Sequence, residues 1–234
     1  DQLRAEENEI SPFLIFSVYD ENGNVVRRME EKASEGIHRI SWDFRYNSFY
    51  PVRVGRESGS RGRSASSGIL AMPGSYAVGM DMVVRGELIS LADPVPFKAI
   101  LLENTSLPAP DRSELVAFQK KISELSRIIM GTESMAREQA LKIQAIQDAI
   151  KNTPGADFEM LGTALKLEKE LDDILFVLNG PSAAASWEEL PPMDMPLNRR
   201  MNIMIRTHWS SSSALTQTEI DQYEILKSEF PPVL

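Results

Sequence analysis

The pattern of hydrophobic and polar positions divides the chain into a strand-like first part and a helical second part. Residues 13–19 (FLIFSVY), 25–29 and 76–84 are short runs rich in β-branched, aromatic and other apolar residues. Turn signals separate them at 20–24 (DENGN), at Pro73-Gly74 and at Gly86. About seven short strands with turns every 8–12 residues predict an immunoglobulin or fibronectin III-like β-sandwich over residues 1–105.

Two further segments complete this predicted sandwich. Residues 36–43 (GIHRISWD) place Ile37, Ile40 and Trp42 among His, Arg and Ser, which predicts a strand with one apolar and one wet face. After a short strand at 87–89, residues 94–102 (PVPFKAILL) are expected to form an edge strand, where prolines are tolerated.

The second part has helical spacing. Apolar residues at steps of three and four predict one helix over residues 111–152, about 60 Å long; they are Leu115, Phe118, Ile122, Leu125, Ile129, Ala136, Ile143, Ile146 and Ile150. Asp111 is expected to cap it, and further helices are predicted at about 157–179, 196–209 and 216–230. The sequence therefore predicts an α+β chain of two domains, in which residues 106–110 link the sandwich to an antiparallel bundle over 111–234.

Composition narrows the classes of function. The net charge is -9, from 34 acidic and 25 basic residues, which disfavours a general nucleic-acid binder. The chain has no Cys, so disulfide scaffolds and Cys-ligated zinc are excluded. The sequence contains no run of 18 apolar residues, so no membrane-spanning helix is predicted. Residues 1–10 include neither an initiator Met nor a signal peptide, and we expect the chain to be part of a longer protein.

No motif predicts a reaction. The two histidines, His38 and His208, lie in different predicted domains and lack neighbours at metal-ligand spacing, so each is interpreted as a satisfied or solvent-facing residue. Adjacent acidic pairs such as Asp172-Asp173 do not converge across a sugar as glycosidase carboxylates must. We therefore predict no catalytic residue, no metal ligand and no cofactor.

Two clusters are candidate contact sites for a ligand or partner. The first contains Trp42, Asp43, Arg45, Tyr46 and Tyr50. Structural packing is the preferred interpretation, and a sugar-binding surface of stacked aromatic rings is the alternative. The second contains Arg56, Arg61 and Arg63 in the Gly/Ser-rich segment between Val54 and Gly68. It is interpreted as a surface loop, or as a contact for an anionic ligand or partner.

Two sets of residues resemble known families. The order V-x-D-x-x-G-N-V-V-R at 18–27, G-x-H-x-I-x-W-D at 36–43 and P-G-x-Y-x-V at 73–78 resembles the immunoglobulin-like domain of the flagellar hook-capping protein. The whole chain, including 154–157 (PGAD) and 209–218 (WSSSSALTQT), resembles the C-terminal region of bacterial proteins with BNR/Asp-box (sortilin-like) β-propellers, often labelled glycosyl hydrolases.

The resemblance implies an exported accessory region, periplasmic, cell-surface or secreted. It also implies a propeller upstream in the same protein as partner. An Asp box (S-x-D-x-G-x-x-W) does not occur here, so no catalytic residue is carried over. The leading hypothesis is a non-catalytic module that supports the propeller or an assembly. The alternatives are a carbohydrate-binding module near Trp42 to Tyr50, and a piece that completes a glycosidase site.

Overall fold

The computed structural model describes residues 10–51, 68–102, 106–181, 192–209 and 211–233. Contacts along the chain divide it into two compact units. The first contains Asp1–Ser48 and Glu57–Pro108, and the second contains Phe49–Arg56 and Ala109–Leu234. A four-stranded antiparallel sheet is followed by four helices, which confirms the predicted α+β, two-part architecture. The candidate residues Arg56, Arg61 and Arg63 lie outside the described residues.

The sheet of the first unit consists of β1 (Phe13–Tyr19), β2 (Val25–Lys32), β3 (Gly74–Val84) and β4 (Glu87–Ala99), in the order β2-β1-β3-β4. The predicted turn at 20–24 joins β1 to β2. Asp20 Oδ1 accepts hydrogen bonds from the backbone amides of Asn22 (3.0 Å) and Asn24 (2.8 Å). Gly23 supplies the left-handed conformation (φ 79°) that this turn requires.

The register of the strands collects apolar side chains on one face. Phe16 pairs with Met29 of β2 and with Met80 of β3, and Val18 pairs with Val78. Directly paired residues point to the same side of a sheet, so these five side chains share a face. On that face the buried core is formed by Val18, Val26, Tyr76 and Ala99.

Two strand predictions are corrected. Residues 37–43 form no strand: Gly36 (φ 105°) and Phe44 (φ 53°) adopt left-handed backbone conformations at either end, and Ile37 is fully exposed. The Phe44 carbonyl, after this segment, accepts a backbone hydrogen bond from Ala71 N at 2.7 Å. The two strands predicted at 87–89 and 94–102 are one strand, β4, which tolerates its prolines because it lies at the sheet edge. The described residues contain one sheet, whereas a sandwich requires two.

The helices of the second unit are α1 (Arg112–Asn152), α2 (Glu159–Asn179), α3 (Leu197–His208) and α4 (Gln217–Glu229), followed by a 3-10 turn at Pro231–Val233. The predicted caps of α1 and α4 are confirmed. Asp111 accepts from the backbone amides of Ser113 (2.8 Å) and Glu114 (3.2 Å), and Thr216 and Glu219 form a reciprocal capping box.

Helices α2 and α3 both pack against α1. Gln147 of α1 donates to Glu168 of α2 (2.8 Å), and Asn179 at the end of α2 donates to Glu133 of α1 (3.2 Å). The two bonds together show that α1 and α2 run antiparallel. Toward its N-terminal end, Gln119 of α1 donates to the carbonyl of His208 at the end of α3 (2.8 Å). The core between these helices includes the fully buried Ile122, Ile129 and Leu178.

Candidate binding cleft

A cleft of about 790 Å³ opens on the apolar face of the sheet in the first unit. Its floor comes from all four strands, because the register places their apolar side chains side by side; the floor residues are Leu14, Phe16, Val18, Met29, Val78, Met80 and Phe97. The volume lies within the range of about 300–1,000 Å³ that is typical of small-molecule sites.

The irregular segment 34–44 forms the opposite wall of the cleft. Ile40, Trp42 and Phe44 contribute its apolar part. Because this segment is not a strand, it runs over the face of the sheet instead of extending it. The corrected strand assignment is therefore the reason that a cleft exists at this place.

The rim of the cleft is polar. It carries Lys32, Arg39, Glu31 and His38. The His38 ring nitrogen Nε2 lies 3.0 Å from the Glu35 carbonyl oxygen and 3.2 Å from Ser34 Oγ, both on the same segment. An apolar floor with a charged rim suits a ligand or protein segment that buries an apolar body and leaves a polar end in water.

Trp42 fills the inner end of the cleft. Its indole Nε1 donates to the Arg45 carbonyl oxygen at 2.9 Å. Its ring centroid lies 4.9 Å from that of Phe44, 5.3 Å from that of Tyr76 and 6.0 Å from that of Phe97. Trp42 thus packs on the face of one sheet, and its hydrogen bond fixes the ring as part of the wall.

Asp43, Arg45 and Tyr46 hold the segment behind Trp42 in place. Asp43 Oδ1 accepts from the backbone amide of Arg45 at 3.2 Å, and Arg45 Nη1 donates to the Gly68 carbonyl at 2.8 Å. The backbone amide of Tyr46 donates to the Ile69 carbonyl oxygen at 3.0 Å. The Tyr46 carbonyl oxygen accepts from Arg27 Nη1 at 3.3 Å. These contacts give the three residues structural roles beside the cleft.

Tyr76 anchors the start of β3 beneath this segment. Its hydroxyl donates to the Met72 carbonyl oxygen at 2.6 Å. Burial raises the pKa of Tyr76, and the neighbouring Tyr46 raises it further, so the phenol stays protonated and available as a donor.

Tyr50 is not part of this group. It belongs to the second unit, where its ring stacks on Phe49 at 4.3 Å between centroids, and Phe49 meets Trp209 edge-on at 5.0 Å. The structure therefore brings together Trp42, Asp43, Arg45 and Tyr46, and it places Tyr50 in a different cluster.

Two features escaped the sequence reasoning. The first is the cleft itself: the alternation of Leu14, Phe16 and Val18 was a signal for an apolar face, but nothing in the sequence indicated what lies over it. The second is His208, which is buried, with Nε2 3.0 Å from Glu219 Oε1. Burial lowers the pKa of His208, and the Glu219 carboxylate opposes this in part.

Comparison of the chain with protein-family models, with curated proteins and with solved structures finds no match. Within the described ranges, no group of three or more His, Asp or Glu side chains is arranged to hold a metal ion. None of the helices described in the structure combines the length and apolar character needed to cross a bilayer. The interpretation of function therefore depends on the geometry of the chain itself.

Proposed function

We propose that this chain is a non-catalytic accessory and interaction module of a larger exported bacterial protein, and that the cleft of the first unit is its contact surface. The observation that carries the proposal is the cleft of about 790 Å³ with an apolar floor drawn from all four strands. In this proposal its occupant is an apolar segment of the β-propeller that the sequence resemblance implies upstream.

The composition of the cleft supports binding. Its floor and inner wall are aliphatic and aromatic side chains, and such surfaces gain free energy when a complementary apolar surface removes them from water. The charges lie at the rim, where they select orientation more than they add affinity. This distribution is typical of an interface, with an apolar centre and a polar edge.

The finer predictions of the fold belong to this proposal. One is an immunoglobulin-like origin of the sheet unit, supported by Tyr76, whose hydroxyl donates to a backbone carbonyl four residues upstream near the start of a strand. Immunoglobulin-like domains contain a tyrosine corner of this kind. The other is a bundle organised by one long helix, supported by the 41-residue α1, against which α2 and α3 pack.

The test is binding of the chain to the preceding part of its parent protein, measured by sedimentation or calorimetry. Ile40→Glu in the wall and Met80→Glu in the floor should each weaken binding at least ~10-fold, since each buries an unpaired charge. Leu88→Glu is the matched control: Leu88 lies on β4 outside the cleft and is 65% exposed. Circular dichroism checks that all three variants fold.

Two results would contradict the proposal. One is an absence of binding by the wild-type chain, or equal losses in the cleft variants and in Leu88→Glu. The other is hydrolysis of a model glycoside by the purified chain, because this would show a catalytic site that the proposal does not contain.

A carbohydrate-binding module is the second candidate. The exposed rings of Phe44 and Tyr50 favour it, because aromatic faces stack on sugars. Calorimetric titration with oligosaccharides decides between the two. Sugar binding that is lost in Phe44→Ala, with folding retained, would replace the propeller contact as the function of the cleft, whereas loss in Tyr50→Ala alone would place a sugar site on the second unit.

A further inference from the structure

The C-terminal half of α1 (residues 133–152) packs against α2, and the two form a helical hairpin. This hairpin leaves a large apolar surface exposed to water. Of the 21 residues of α2, only Ala164 and Leu178 are buried. The exposed or half-exposed apolar residues used below are called the hairpin face; they are Met135 and Ile146 on α1, and Met160, Leu167 and Ile174 on α2. Those on α1 are 63% and 49% exposed.

Helix geometry places the members of each set on one line along their helix. Met135 and Ile146 are eleven residues apart, which is close to three full turns at 3.6 residues per turn, and the polar Gln139 lies between them on this line. Met160, Leu167 and Ile174 are spaced by seven, which displaces each by only about 20° from the last. The apolar stripe is therefore interrupted on α1 and more regular on α2.

The two stripes lie on the same side of the hairpin. On α1, the stripe is rotated by about 75° from the centre of the residues that pack on α2, which include Ala136, Gln147 and Ile150. On α2, the stripe is rotated in the same sense by roughly 45–85° from the buried line around Ala164. In an antiparallel pair, rotation in the same sense places both stripes on one side.

The opposite side of the hairpin also carries exposed apolar residues: Leu141 on α1 is 67% exposed, and Leu165 and Phe176 on α2 are each 50% exposed. At one end, however, this side is met by α3, because Asn198 donates to Glu133 at 2.9 Å and to Asn179 at 2.8 Å. The hairpin face is the side that points away from α3.

We propose that a second copy of this chain covers the hairpin face, so that two hairpins form an antiparallel four-helix bundle about a two-fold axis parallel to the helices. This proposal does not depend on the proposed function. In a bundle of four antiparallel helices, each helix packs against its hairpin partner and against one helix of the second copy, which buries its apolar stripe. A dimer with a two-fold axis uses the same patch on both subunits, so a self-complementary face is sufficient.

Charge favours this axis. The charged residue next to the apolar stripe is Glu170 on α2 and Lys142 on α1. A two-fold axis perpendicular to the helices would place the Glu170 edge of α2 against the same acidic edge of the second copy. An axis parallel to the helices places α1 against α2 of the second copy and avoids this repulsion.

The same axis brings one opposite pair together. Lys142 on α1 and Glu170 on α2 lie at the outer edges of the hairpin face, because each is rotated beyond its apolar stripe in the same sense. The Gln147–Glu168 hydrogen bond shows that they are at nearly the same level along the hairpin. In the proposed bundle, Lys142 faces Glu170 of the second copy, twice by symmetry.

The size of the face is adequate for a dimer. Helix α2 is about 31 Å long, and two helices side by side are about 20 Å wide. The projected area of about 600 Å² corresponds to a larger accessible area on a ridged surface. It is therefore comparable with the ~800 Å² per partner of a specific interface.

Sedimentation equilibrium of the full chain is the direct test. The wild type should have a mass of about 52 kDa, twice the 26.2 kDa of one chain. Met135→Glu and Leu167→Glu should weaken self-association at least ~10-fold, because each would bury unpaired charges in the interface. Leu165→Glu, the same change on the opposite side of α2, should leave it unchanged. A monomeric wild type, or dissociation by Leu165→Glu equal to that by Leu167→Glu, overturns the proposal.

Two further measurements test the axis. Lys142→Glu and Glu170→Lys should each weaken the dimer, and the two changes in one chain should restore it. The chain has no Cys, so single substitutions give clean cross-links. An equimolar mixture of Ile146→Cys and Leu167→Cys chains should form a covalent dimer faster than either variant alone. Faster cross-linking of Ile146→Cys with itself would overturn the proposed axis.

Discussion

Gly180 is a position at which adding one methyl group should clearly lower the free energy of unfolding. It ends α2 with φ 71°, and its backbone amide donates to the Phe176 carbonyl at 2.7 Å. A Cβ at this position would lie 2.7 Å from Cγ of Pro196. The change Gly180→Ala thus combines an unfavourable backbone conformation with a steric clash at the start of α3.

Each effect has its own cost. With φ 71° and ψ -176°, Gly180 lies in a backbone region that is essentially restricted to glycine, and a residue held in such a region costs about 1–3 kcal/mol. Overpacking against a neighbouring ring costs about 1–3 kcal/mol. We therefore expect Gly180→Ala to lower the free energy of unfolding by roughly 2–6 kcal/mol.

Urea unfolding at a fixed protein concentration measures this loss. With an m-value of about 2 kcal/mol/M, a loss of about 3 kcal/mol lowers the midpoint by about 1.5 M. Gly162→Ala is the matched control in the same helix, because no atom lies within 4 Å of its added Cβ. It should raise stability by up to about 1 kcal/mol through helix propensity. Equal midpoints for the two variants would refute the reasoning.

Three further predictions concern the second unit. Ile129→Ala should cost about 2–5 kcal/mol in urea unfolding because the side chain is fully buried, whereas Ile203→Ala, at an exposed site, should cost under ~1 kcal/mol. Thr216→Ala should lower the free energy of unfolding by about 1 kcal/mol and reduce the protection of backbone amides from hydrogen exchange at the start of α4, since it removes the N-cap. The wild type should lose stability as the pH falls below about 6.5, and His208→Gln should lose less, because burial lowers the pKa of folded His208 and the unfolded chain binds the proton first.

Each of the three has a contrary result. Equal losses for Ile129→Ala and Ile203→Ala would show that the core does not lie where the structure places it. Unchanged exchange at the start of α4 would contradict the capping role of Thr216. A stability difference between wild type and His208→Gln that is constant from pH 7.5 to pH 5 would show that His208 does not change its protonation on unfolding.

Local signals in the sequence predicted the elements that depend on local physics. The β1–β2 turn follows from Asp20 and Gly23, and the cap of α1 follows from Asp111. These succeed because the hydrogen bonds connect residues only two to four positions apart. Residues 37–43 failed because the same alternation of apolar residues fits a strand and a segment laid over a sheet face. The path of the segment is set by the residues that follow it, because Phe44, Tyr46 and Asn47 form backbone hydrogen bonds with residues 69–71 and Val26, which are distant in the sequence.

The candidate site depended still more on distant contacts. The sequence favours packing for Trp42, since large aromatic residues are usually buried, and in the structure Trp42 lines the inner end of the cleft. The cleft beside it requires the simultaneous register of β1, β2 and β3, which no single segment contains. The sequence leaves open whether His208 is satisfied or solvent-facing, because its contact with Glu219 is made to another helix and its burial depends on the packing of α1 against α3.

The contact between Phe49 and Trp209 has a consequence for the way the chain folds during synthesis. The two rings belong to one unit but are 160 positions apart in the sequence (209 minus 49), and all the described strands after β2 are made between them. Phe49 therefore leaves the ribosome long before its partner exists, and its apolar surface waits in water while the sheet unit forms. An isolated 111–234 polypeptide would lack Phe49 altogether and expose the Trp209 ring, which is 8% exposed in the intact chain.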